Sequence, residues 1–339
     1  MKILVTGATG LIGCHAVACL LEAGHSVRVL VRDAAKVPKA IAPFGRGEAD
    51  VEIALGSIED DAAIDAGLSG CDGLLHCAGL FSPDKRDAEL LERTNVEGTR
   101  RVLEAAERSG ITRTVYVSSI LALFPPAGQR MTAEDEATSP NEMYAATKAA
   151  AERIAREARA RMPLSIVYPA AVQGPDDPTF SIGPQLVSEA LERGTVLVTE
   201  GGLPSTDVRD LARLIVAIFE ADTPPAGVMA PAFFVPHDDY HQMLESLTGR
   251  SLSVQRVPGW LLRGMGWAGD LLGRLGRPTQ LTSEAAQILT RSVPVDDAAA
   301  CRLLGRTPIS AEESFRDLIA WMVEAGHLSG EAAGRIAQD

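Results

Sequence analysis

The chain has 339 residues, of which 46% are hydrophobic and 23% are charged, and its net charge at pH 7 is −13. This composition is typical of a soluble globular protein, and the scattered acidic residues argue against nucleic acid and against an anionic membrane surface as partners. We expect a cytoplasmic protein with reduced thiols and no transmembrane segment, because it has no bilayer-length apolar run, no recognisable signal peptide and no C-x-x-C spacing among its cysteines.

Residues 2–13 form a glycine-rich stretch whose pattern predicts a strand, a tight turn and a helix. An apolar run predicts a buried strand, and the apolar residues from Leu11 onward fall on a helical stripe. Between them, Gly7 permits a sharp turn, Gly10 lets the backbone approach a pyrophosphate and Gly13 lets the helix lie close to the sheet. The N–H groups of the first helical turn would then face phosphates, which predicts a dinucleotide site.

A second strand, residues 26–31, completes a β-α-β unit and bears on the choice of cofactor. NAD-binding units usually end this strand in a carboxylate that holds the ribose 2'-hydroxyl, but Val31 occupies that place here. Arg32 follows at once, and an arginine suits a 2'-phosphate, to which Lys36 and Lys39 would add charge. The pattern favours NADP(H) over NAD(H), with the alternative that Arg32 is only a solvated strand end.

Strands and helices continue to alternate through the first half of the chain. Further strands are predicted at residues 51–55, 72–76, 113–118 and 163–168, with helices at about 88–108 and 147–160. This alternation predicts an α/β fold with a doubly wound parallel sheet of the Rossmann type, whose ligands bind beyond the carboxyl ends of the strands.

After Gly174 the pattern loosens into connections rich in proline and glycine. Helices are predicted near residues 182–193, 208–220, 240–248 and 311–325. We therefore expect an NAD(P)-binding domain of residues 1–173 plus about 205–222, and a smaller mixed C-terminal lobe of residues 174–204 and 223–339 that binds substrate.

Residues 260–275 form an apolar stretch interrupted by glycines, with Trp260 and Trp267 among its members. Such a stretch could contact an apolar substrate, a partner subunit or a membrane surface. More often it is a helix packed on its own domain, and we favour that interpretation.

Tyr144 and Lys148 stand four residues apart in a predicted helix and therefore share one helix face. A phenol that works as an acid or base near neutrality needs its pKa lowered from near 10 to near 7, which corresponds to about 4 kcal/mol. One cation at roughly 4 Å supplies that order of energy. Ser119, at the end of the fifth strand, could donate to a carbonyl oxygen while Tyr144 exchanges its proton.

Seven segments of the chain together resemble the extended short-chain dehydrogenase/reductases, the NAD-dependent epimerase/dehydratase family, and they span nearly the whole chain to about residue 220. They are Thr6-Gly-x-x-Gly-x-x-Gly13, Asp72-Gly-x-x-His-x-Ala-Gly79, Thr94-Asn-Val-x-Gly-Thr99, Val117-Ser-Ser119, Tyr144-x-x-x-Lys148, Pro169-Ala-Ala-Val-Gln-Gly-Pro175 and Asp207-Val-Arg-Asp-Leu-Ala212. The set is far more specific than any one of its motifs.

The resemblance implies that Ser119, Tyr144 and Lys148 form a catalytic triad, with Lys148 also holding the nicotinamide ribose and Asn95 near the active site. The residues expected to bind the cofactor are Gly7, Thr9, Gly10, Leu11, Ile12, Gly13, Arg32, Lys39, Ser57, Ile58, Cys77, Ala78, Gly79, Tyr144, Lys148, Pro169 and Val172.

Two positions depart from the family pattern. Ser57 stands where many members have an aspartate facing the adenine, and Tyr168 stands where many have an arginine before the proline. The first departure leaves the adenine contacts open. The second leaves the overall assignment intact.

Within the family, residues 31–33 and 201–207 are similar to dihydroflavonol-reductase-like ketone and aldehyde reductases, and the Arg-Asp-Phe segment of many nucleotide-sugar epimerases is missing. We predict an NADP-dependent oxidoreductase that reduces a small carbonyl compound to an alcohol.

Few charges lie between residues 180 and 203, which favours an apolar substrate. The alternatives are a nucleotide-sugar epimerase or dehydratase with tightly bound NAD, and a non-catalytic NADP-sensing protein. The family also suggests a homodimer.

His237 and His241 have the i, i+4 spacing of a zinc-binding helix face. No glutamate follows His237, and the sequence offers no third ligand. We interpret Asp238 or Asp239 as a helix cap and predict no metal site.

Overall fold

The structure is a computed structural model that describes residues 1–82, 84–274, 283–290 and 293–338. Its strands are β1 (Lys2–Thr6), β2 (Ser26–Val31), β3 (Val51–Leu55), β4 (Gly73–His76), β5 (Arg113–Val117), β6 (Leu164–Tyr168), β7 (Ala171–Gln173), β8 (Thr195–Val198), β9 (Gly202–Asp207), β10 (Gly227–Met229), β11 (Phe233–Pro236) and β12 (Ser253–Arg256).

The helices begin with α1 (Leu11–Glu22), α2 (Lys36–Ile41), α3 (Asp61–Leu68), α4 (Ala88–Leu91), α5 (Gly98–Arg108), α6 (Met143–Arg159) and α7 (Ile182–Arg193). They continue with α8 (Val208–Glu220), α9 (His237–Thr248), α10 (Gly259–Arg274), α11 (Ser283–Thr290), α12 (Ala298–Leu304), α13 (Ala311–Glu324) and α14 (Gly330–Ala333). A π-helical segment, Glu92–Glu97, joins α4 to α5. Within the described residues, no helix combines the length and the apolar character that crossing a bilayer requires.

The chain divides into two compact units. Unit 1 comprises residues 1–170, 208–231 and 295–307, and unit 2 comprises residues 171–207, 232–294 and 308–339. Residues 295–307 thus group with unit 1, whereas the sequence pattern assigns them to the C-terminal lobe.

Unit 1 is built on a seven-stranded sheet in the order β10-β6-β5-β4-β1-β2-β3, and every neighbouring pair is parallel. β1 is flanked by β2 and β4, so the strand order reverses there and a crevice opens at the carboxyl ends of β1 and β4. Ile3, Leu4 and Val5 are fully buried in β1, as a strand covered by helices on both faces requires. The predicted Rossmann-type fold is confirmed.

Unit 2 has its own core and two small sheets. β7 pairs parallel with β9, β9 pairs antiparallel with β11, and β8 pairs parallel with β12. The core is built from buried side chains of α7, α9 and α13 such as Leu191, Leu244 and Phe315. The C-terminal part is therefore mixed, as predicted.

Several predicted boundaries are accurate, one helix begins earlier than predicted, and one strand was not predicted. β2, β3, α7 and α8 begin and end where the pattern predicts. α6 begins four residues before the predicted start at residue 147, because the Glu142 carboxylate accepts the N–H groups of Tyr144 and Ala145 and caps the helix earlier. The sequence pattern does not predict β10, since three residues carry no periodicity.

The apolar stretch 260–275 forms α10 up to Arg274, and Leu275 lies outside the described residues. Leu262 is buried, so one side of the helix packs on unit 2 as expected. Trp260 and Trp267, however, are 68% and 67% exposed. Packing therefore accounts for one face of this helix and leaves its two indole rings on the surface.

Candidate active site

The glycine-rich turn between β1 and α1 is tight and packs on the loop that follows β4. Gly7 has a φ of +78°, and a Cβ there would lie 2.7 Å from the Ala78 nitrogen. A Cβ on Gly13 would lie 2.1 Å from the Gly7 carbonyl oxygen, so the start of α1 rests directly on the turn. Gly7 and Gly13 are thus required by close backbone approach.

Gly10 differs from the other two glycines. A Cβ on Gly10 would meet only the Gly7 carbonyl oxygen, at an ordinary 3.5 Å. Gly10 is the N-cap of α1 and has no side chain to cover the first helical N–H groups. The space beside Gly10 and the N–H groups of the first helical turn, at Leu11 and Ile12, could hold the pyrophosphate of a dinucleotide, with the half-buried Thr9 next to them in the chain.

The loop after β4 is held on the end of β1 through Thr6. The Cys77 thiol donates to the Thr6 carbonyl oxygen at 2.9 Å, and the Ala78 N–H donates to the Thr6 hydroxyl at 3.4 Å. Burial raises the pKa of Cys77 to about 12, so the thiol stays protonated. Cys77 and Ala78 are half-buried and Gly79 is exposed beside the glycine turn, where a dinucleotide would meet them.

His76 ends β4 and is fully buried, a role that sequence reasoning missed. Its ring nitrogens contact the Thr6 hydroxyl at 2.7 Å and the Thr99 hydroxyl at 3.0 Å, and its ring stacks on Tyr116 with centroids 5.6 Å apart. Burial and the charge of Lys148 lower the pKa of His76 to about 3. The neutral ring therefore fastens β4 to β1 and α5.

The basic residues after β2 are all exposed. Arg32, Lys36 and Lys39 are exposed, Arg32 directly after β2 and the lysines on α2. Among the described residues, Arg32 has no hydrogen-bond or ion-pair partner within the chain. The Asp33 carboxylate instead accepts the Ala35 N–H at 3.0 Å and shapes the turn.

Ser57 and Ile58 lie in the loop between β3 and α3. The Ser57 hydroxyl accepts the Glu59 N–H at 3.2 Å. Ile58 packs on Gly98 of α5, where a Cβ would lie 2.6 Å from its Cδ1. The loop is thus anchored, and its contacts with an adenine ring stay a prediction.

The three residues of the predicted triad come from the end of β5 and the first turns of α6. Tyr144 is half-buried, whereas Lys148 and Ser119 are 7% and 9% exposed. The Ser119 side chain acts on the Tyr144 phenol, because it opposes the rise of the pKa of Tyr144. The Ser119 hydroxyl also accepts the Leu121 N–H at 3.2 Å, so it caps a short 3₁₀ turn as well.

The electrostatics of this cluster differ from the expectation. Burial raises the pKa of Tyr144 to about 12, with Glu142 adding to the rise and the Ser119 side chain opposing it. Burial also lowers the pKa of Lys148 to about 8, although the Glu152 carboxylate opposes that fall. The predicted fall in the pKa of Tyr144 is not found in this structure, because burial has the largest effect on the phenol and raises its pKa.

The Lys148 ammonium group is held by acceptors from the sheet. Its Nζ donates to the Val117 carbonyl oxygen at 3.1 Å and lies 5.3 Å from the centre of the Tyr116 ring. These contacts keep the ammonium group at the end of β5, on the same side of α6 as Tyr144.

Glu152, one helical turn after Lys148, is fully buried and was also missed by sequence reasoning. It accepts hydrogen bonds from the Ser118 hydroxyl at 2.7 Å, from Arg156 Nε at 2.7 Å and from the Tyr168 hydroxyl at 2.6 Å. A glutamate four residues after a lysine on an alanine-rich helix is the signal that could have indicated it.

This network explains how the chain accommodates Tyr168 where many family members have an arginine before the proline. The Tyr168 hydroxyl accepts from Arg156 Nη2 at 3.2 Å while it donates to Glu152. An arginine from α6 therefore supplies the positive charge at a position where many family members carry an arginine on β6.

Asn95 lies buried in the π-helical segment and connects two other elements. Its amide accepts the Leu80 N–H at 2.8 Å and donates to the Leu80 carbonyl oxygen at 2.9 Å. It also donates to the Thr147 hydroxyl at 3.1 Å, and Thr147 in turn donates to the Tyr144 carbonyl oxygen at 2.8 Å. π-Helical turns are frequent at functional sites, where they re-aim a side chain.

Pro169 and Val172, both expected to contact the nicotinamide, belong to different units of the chain. Pro169 is buried after β6 in unit 1, and its carbonyl oxygen accepts the Ile120 N–H at 3.1 Å. Val172 is half-buried in β7 of unit 2. Their contacts with a nicotinamide ring stay a prediction.

The histidine pair of α9 has protein partners. His237 Nδ1 lies 2.7 Å from the Thr199 hydroxyl, and His241 Nε2 lies 3.3 Å from the Leu252 carbonyl oxygen and 3.4 Å from Glu245. α9 begins at His237, so Asp238 and Asp239 lie within its first turn and do not cap it. The prediction of a cap at Asp238 or Asp239 is therefore wrong. Asp238 instead forms an ion pair with Arg256 at 2.6 Å. Among the residues that the structure describes, no three potential ligands cluster as a metal site would require.

Comparisons with known proteins agree with this arrangement. The model of the NAD-dependent epimerase/dehydratase family matches residues 3–229. A protein of Synechocystis sp. named "Putative dihydroflavonol 4-reductase" is 29% identical over 336 residues, covering 96% of this chain and 95% of that protein. The 4-hydroxy-2-methyl-3-oxo-4-farnesyl-3,4-dihydroquinoline-1-oxide ketoreductase of Stigmatella aurantiaca is 30% identical over 317 residues, covering 90% and 91%. The crystal structure of gox2253 has a TM-score of 0.82 and 25% identity, over 97% of this chain and 99% of that one.

Proposed function

Because this chain belongs to the NAD-dependent epimerase/dehydratase family, we propose that it is an NADP-dependent reductase that converts a ketone or aldehyde to an alcohol. It is an NAD(P)-dependent enzyme of the short-chain dehydrogenase/reductase type. The observation that carries the proposal is that Ser119 and Lys148 are buried at the end of β5, where Lys148 Nζ donates to the Val117 carbonyl oxygen, while Tyr144 lies one helical turn before Lys148 on α6.

The side chains support reduction. A nicotinamide dinucleotide, when bound at the glycine turn, supplies the hydride. Tyr144 keeps its proton at neutral pH because its pKa is about 12, so it can donate that proton to the carbonyl oxygen. Ser119 can donate a hydrogen bond to the same oxygen, and Lys148, one helical turn from Tyr144, carries the positive charge that would balance the phenolate formed in this step.

The cofactor preference is proposed on the charges after β2. Arg32 is exposed, and so are Lys36 and Lys39 on α2. A guanidinium group binds a 2'-phosphate through paired hydrogen bonds, which a ribose 2'-hydroxyl cannot match. This supports NADP over NAD.

The names of the relatives support a carbonyl substrate with apolar groups. One relative is named as a dihydroflavonol reductase, and another as a ketoreductase of a compound that carries a farnesyl group. Together with the scarcity of charge in residues 180–203, they favour an apolar carbonyl compound over a nucleotide sugar.

The direct test follows NADPH absorbance with a panel of ketones and aldehydes. We expect the wild type to consume NADPH and the Tyr144→Phe variant to lose at least a hundredfold in kcat, since general acid catalysis contributes about that much or more. Tyr240→Phe removes a hydroxyl from α9 in unit 2 and serves as the matched control. Unchanged turnover in Tyr144→Phe would contradict the mechanism.

The same experiments separate the two alternatives. Purified protein that retains NAD through gel filtration and shows no net consumption of NADPH would instead indicate an epimerase or dehydratase. Tight NADP binding without turnover on any carbonyl compound would indicate a sensing protein.

A further inference from the structure

Phe81 presents an exposed aromatic ring directly against Tyr144. It lies in the loop that follows β4 and is 48% exposed. Its ring centroid is 4.9 Å from that of Tyr144, with an angle of 76° between the planes, an edge-to-face contact. An apolar surface that stays exposed beside the proposed proton donor gains free energy when an apolar group covers it.

The loop that carries Phe81 is anchored on both sides of the ring. Before it, the backbone N–H and carbonyl oxygen of Leu80 are both bonded to the Asn95 amide. After it, the Ser82 hydroxyl donates to Asp87 at 2.6 Å and accepts the Asp84 N–H at 3.1 Å. Because hydrogen bonds hold Leu80 and Ser82 on either side of Phe81, a ligand that packs on its ring removes little backbone entropy.

The same asparagine ties the loop to the helix of Tyr144. Asn95 donates to the Thr147 hydroxyl, which donates to the carbonyl oxygen of Tyr144. The two rings are therefore positioned by one chain of hydrogen bonds that runs through the π-helical segment. Phe81 lies at a defined place relative to the phenol.

We propose that Phe81 is a specificity-determining residue, which packs on an aromatic or bulky apolar substituent of the carbonyl compound whose oxygen meets Tyr144. The proposal rests on the proposed carbonyl reduction and adds the substrate class to it. A phenyl ring offers no hydrogen bond to a sugar hydroxyl and favours substrates whose group next to the carbonyl is apolar.

The test compares acetophenone with butanone, two methyl ketones that differ in the size and aromatic character of the second substituent. For the wild type we expect a higher kcat/KM with acetophenone. Phe81→Ala should lower kcat/KM for acetophenone about tenfold and for butanone less than twofold, and Phe81→Leu should keep most of the discrimination because it restores an apolar side chain.

Arg86→Ala is the control in the same loop, because the Arg86 side chain is 89% exposed and forms an ion pair with Asp84 of that loop. NADPH affinity and thermal unfolding, measured for every variant, show whether the fold is intact. Asn95→Ala should reproduce part of the Phe81→Ala effect, since it releases the Leu80 backbone.

The outcomes separate the two proposals. A wild type that consumes NADPH with neither these ketones nor the wider panel overturns carbonyl reduction, and with it the role of Phe81. A wild type that reduces both ketones while Phe81→Ala leaves their ratio unchanged, or lowers both equally, overturns the role of Phe81 alone.

Discussion

Tyr144 and Lys148 are one helical turn apart, and burial moves the pKa of each toward its uncharged form. For Tyr144 this suits the proposed reduction, which needs a phenol that still carries its proton. For Lys148 it has a cost, because the charged form is the stronger hydrogen-bond donor. Glu152 opposes that loss, so a residue that sequence reasoning missed helps to keep Lys148 charged.

Glu152→Gln should therefore move the pH profile of the enzyme. Without the carboxylate, the pKa of Lys148 falls further below about 8, and the alkaline limb of kcat/KM shifts to lower pH. The free energy of unfolding should also fall by about 3 kcal/mol or more, since Arg156 and Tyr168 lose a buried charged partner. Both are measured by pH-dependent NADPH oxidation and by urea unfolding.

Glu157→Gln is the matched control, because Glu157 is exposed on the same helix. An alkaline limb that stays in place in Glu152→Gln would show that Glu152 does not act on Lys148.

The buried Lys148 should make stability depend on pH. Its folded pKa, about 8, lies below the 10.5 of an ordinary lysine, so the unfolded chain binds more protons between these two values. The folded state therefore gains stability as pH rises through this window, by up to about 3 kcal/mol. Urea unfolding at about pH 7 and pH 10 should show this gain in the wild type relative to Lys148→Met. A difference between the two proteins that is equal at both pH values would contradict it.

At the scale of elements, the β1–α1 turn uses its glycines for two separate purposes. Gly13 is required by packing, because its Cβ position is filled by the Gly7 carbonyl oxygen. Gly10 has room for a methyl group, so nothing in the folded chain explains its lack of a side chain. A ligand that approaches the backbone does explain it.

Gly13→Ala should therefore affect mainly the stability of the fold, and Gly10→Ala mainly the binding of NADP. Gly13→Ala should lower the free energy of unfolding by several kcal/mol, because the turn and α1 must separate. Gly10→Ala should change it by less than about 1 kcal/mol while it weakens NADP binding at least tenfold. Urea unfolding and a fluorescence titration with NADP measure the two effects. Normal NADP affinity in Gly10→Ala would place the pyrophosphate elsewhere.

At the scale of the whole molecule, a net charge of −13 opposes the binding of an anionic cofactor, so affinity depends on local positive charge. A ligand that binds only the folded chain stabilises it by an amount that grows with the logarithm of its concentration over Kd, about 2.7 kcal/mol at a hundredfold excess over Kd. The thermal unfolding temperature thus reports the choice between NADP and NAD.

We expect NADP to raise the Tm of the wild type more than NAD at equal concentration, and Arg32→Gln to remove most of that difference. Arg316→Gln, an exposed arginine in α13 of unit 2, is the control. Equal stabilisation of the wild type by NADP and NAD would contradict the assignment of Arg32 to the 2'-phosphate.

Much of the fold follows from local patterns. Six strands of the central sheet were predicted to within one residue or two, because buried parallel strands are short apolar runs bounded by turns. β10 was not predicted, since its three residues acquire their strand conformation by pairing with β6. The start of α6 was missed because a glutamate cap depends on how its side chain folds back.

The sequence by itself determined the parallel sheet, the glycine turn and the shared helix face of Tyr144 and Lys148, because helical and strand periodicities and the spacing of glycines are local properties. Only the tertiary structure decided that Glu152 is buried beneath Lys148, that burial raises rather than lowers the pKa of Tyr144, and that Phe81 lies against its ring. Desolvation and side-chain contact depend on residues that are far apart in the chain, and no local pattern encodes the distance between them.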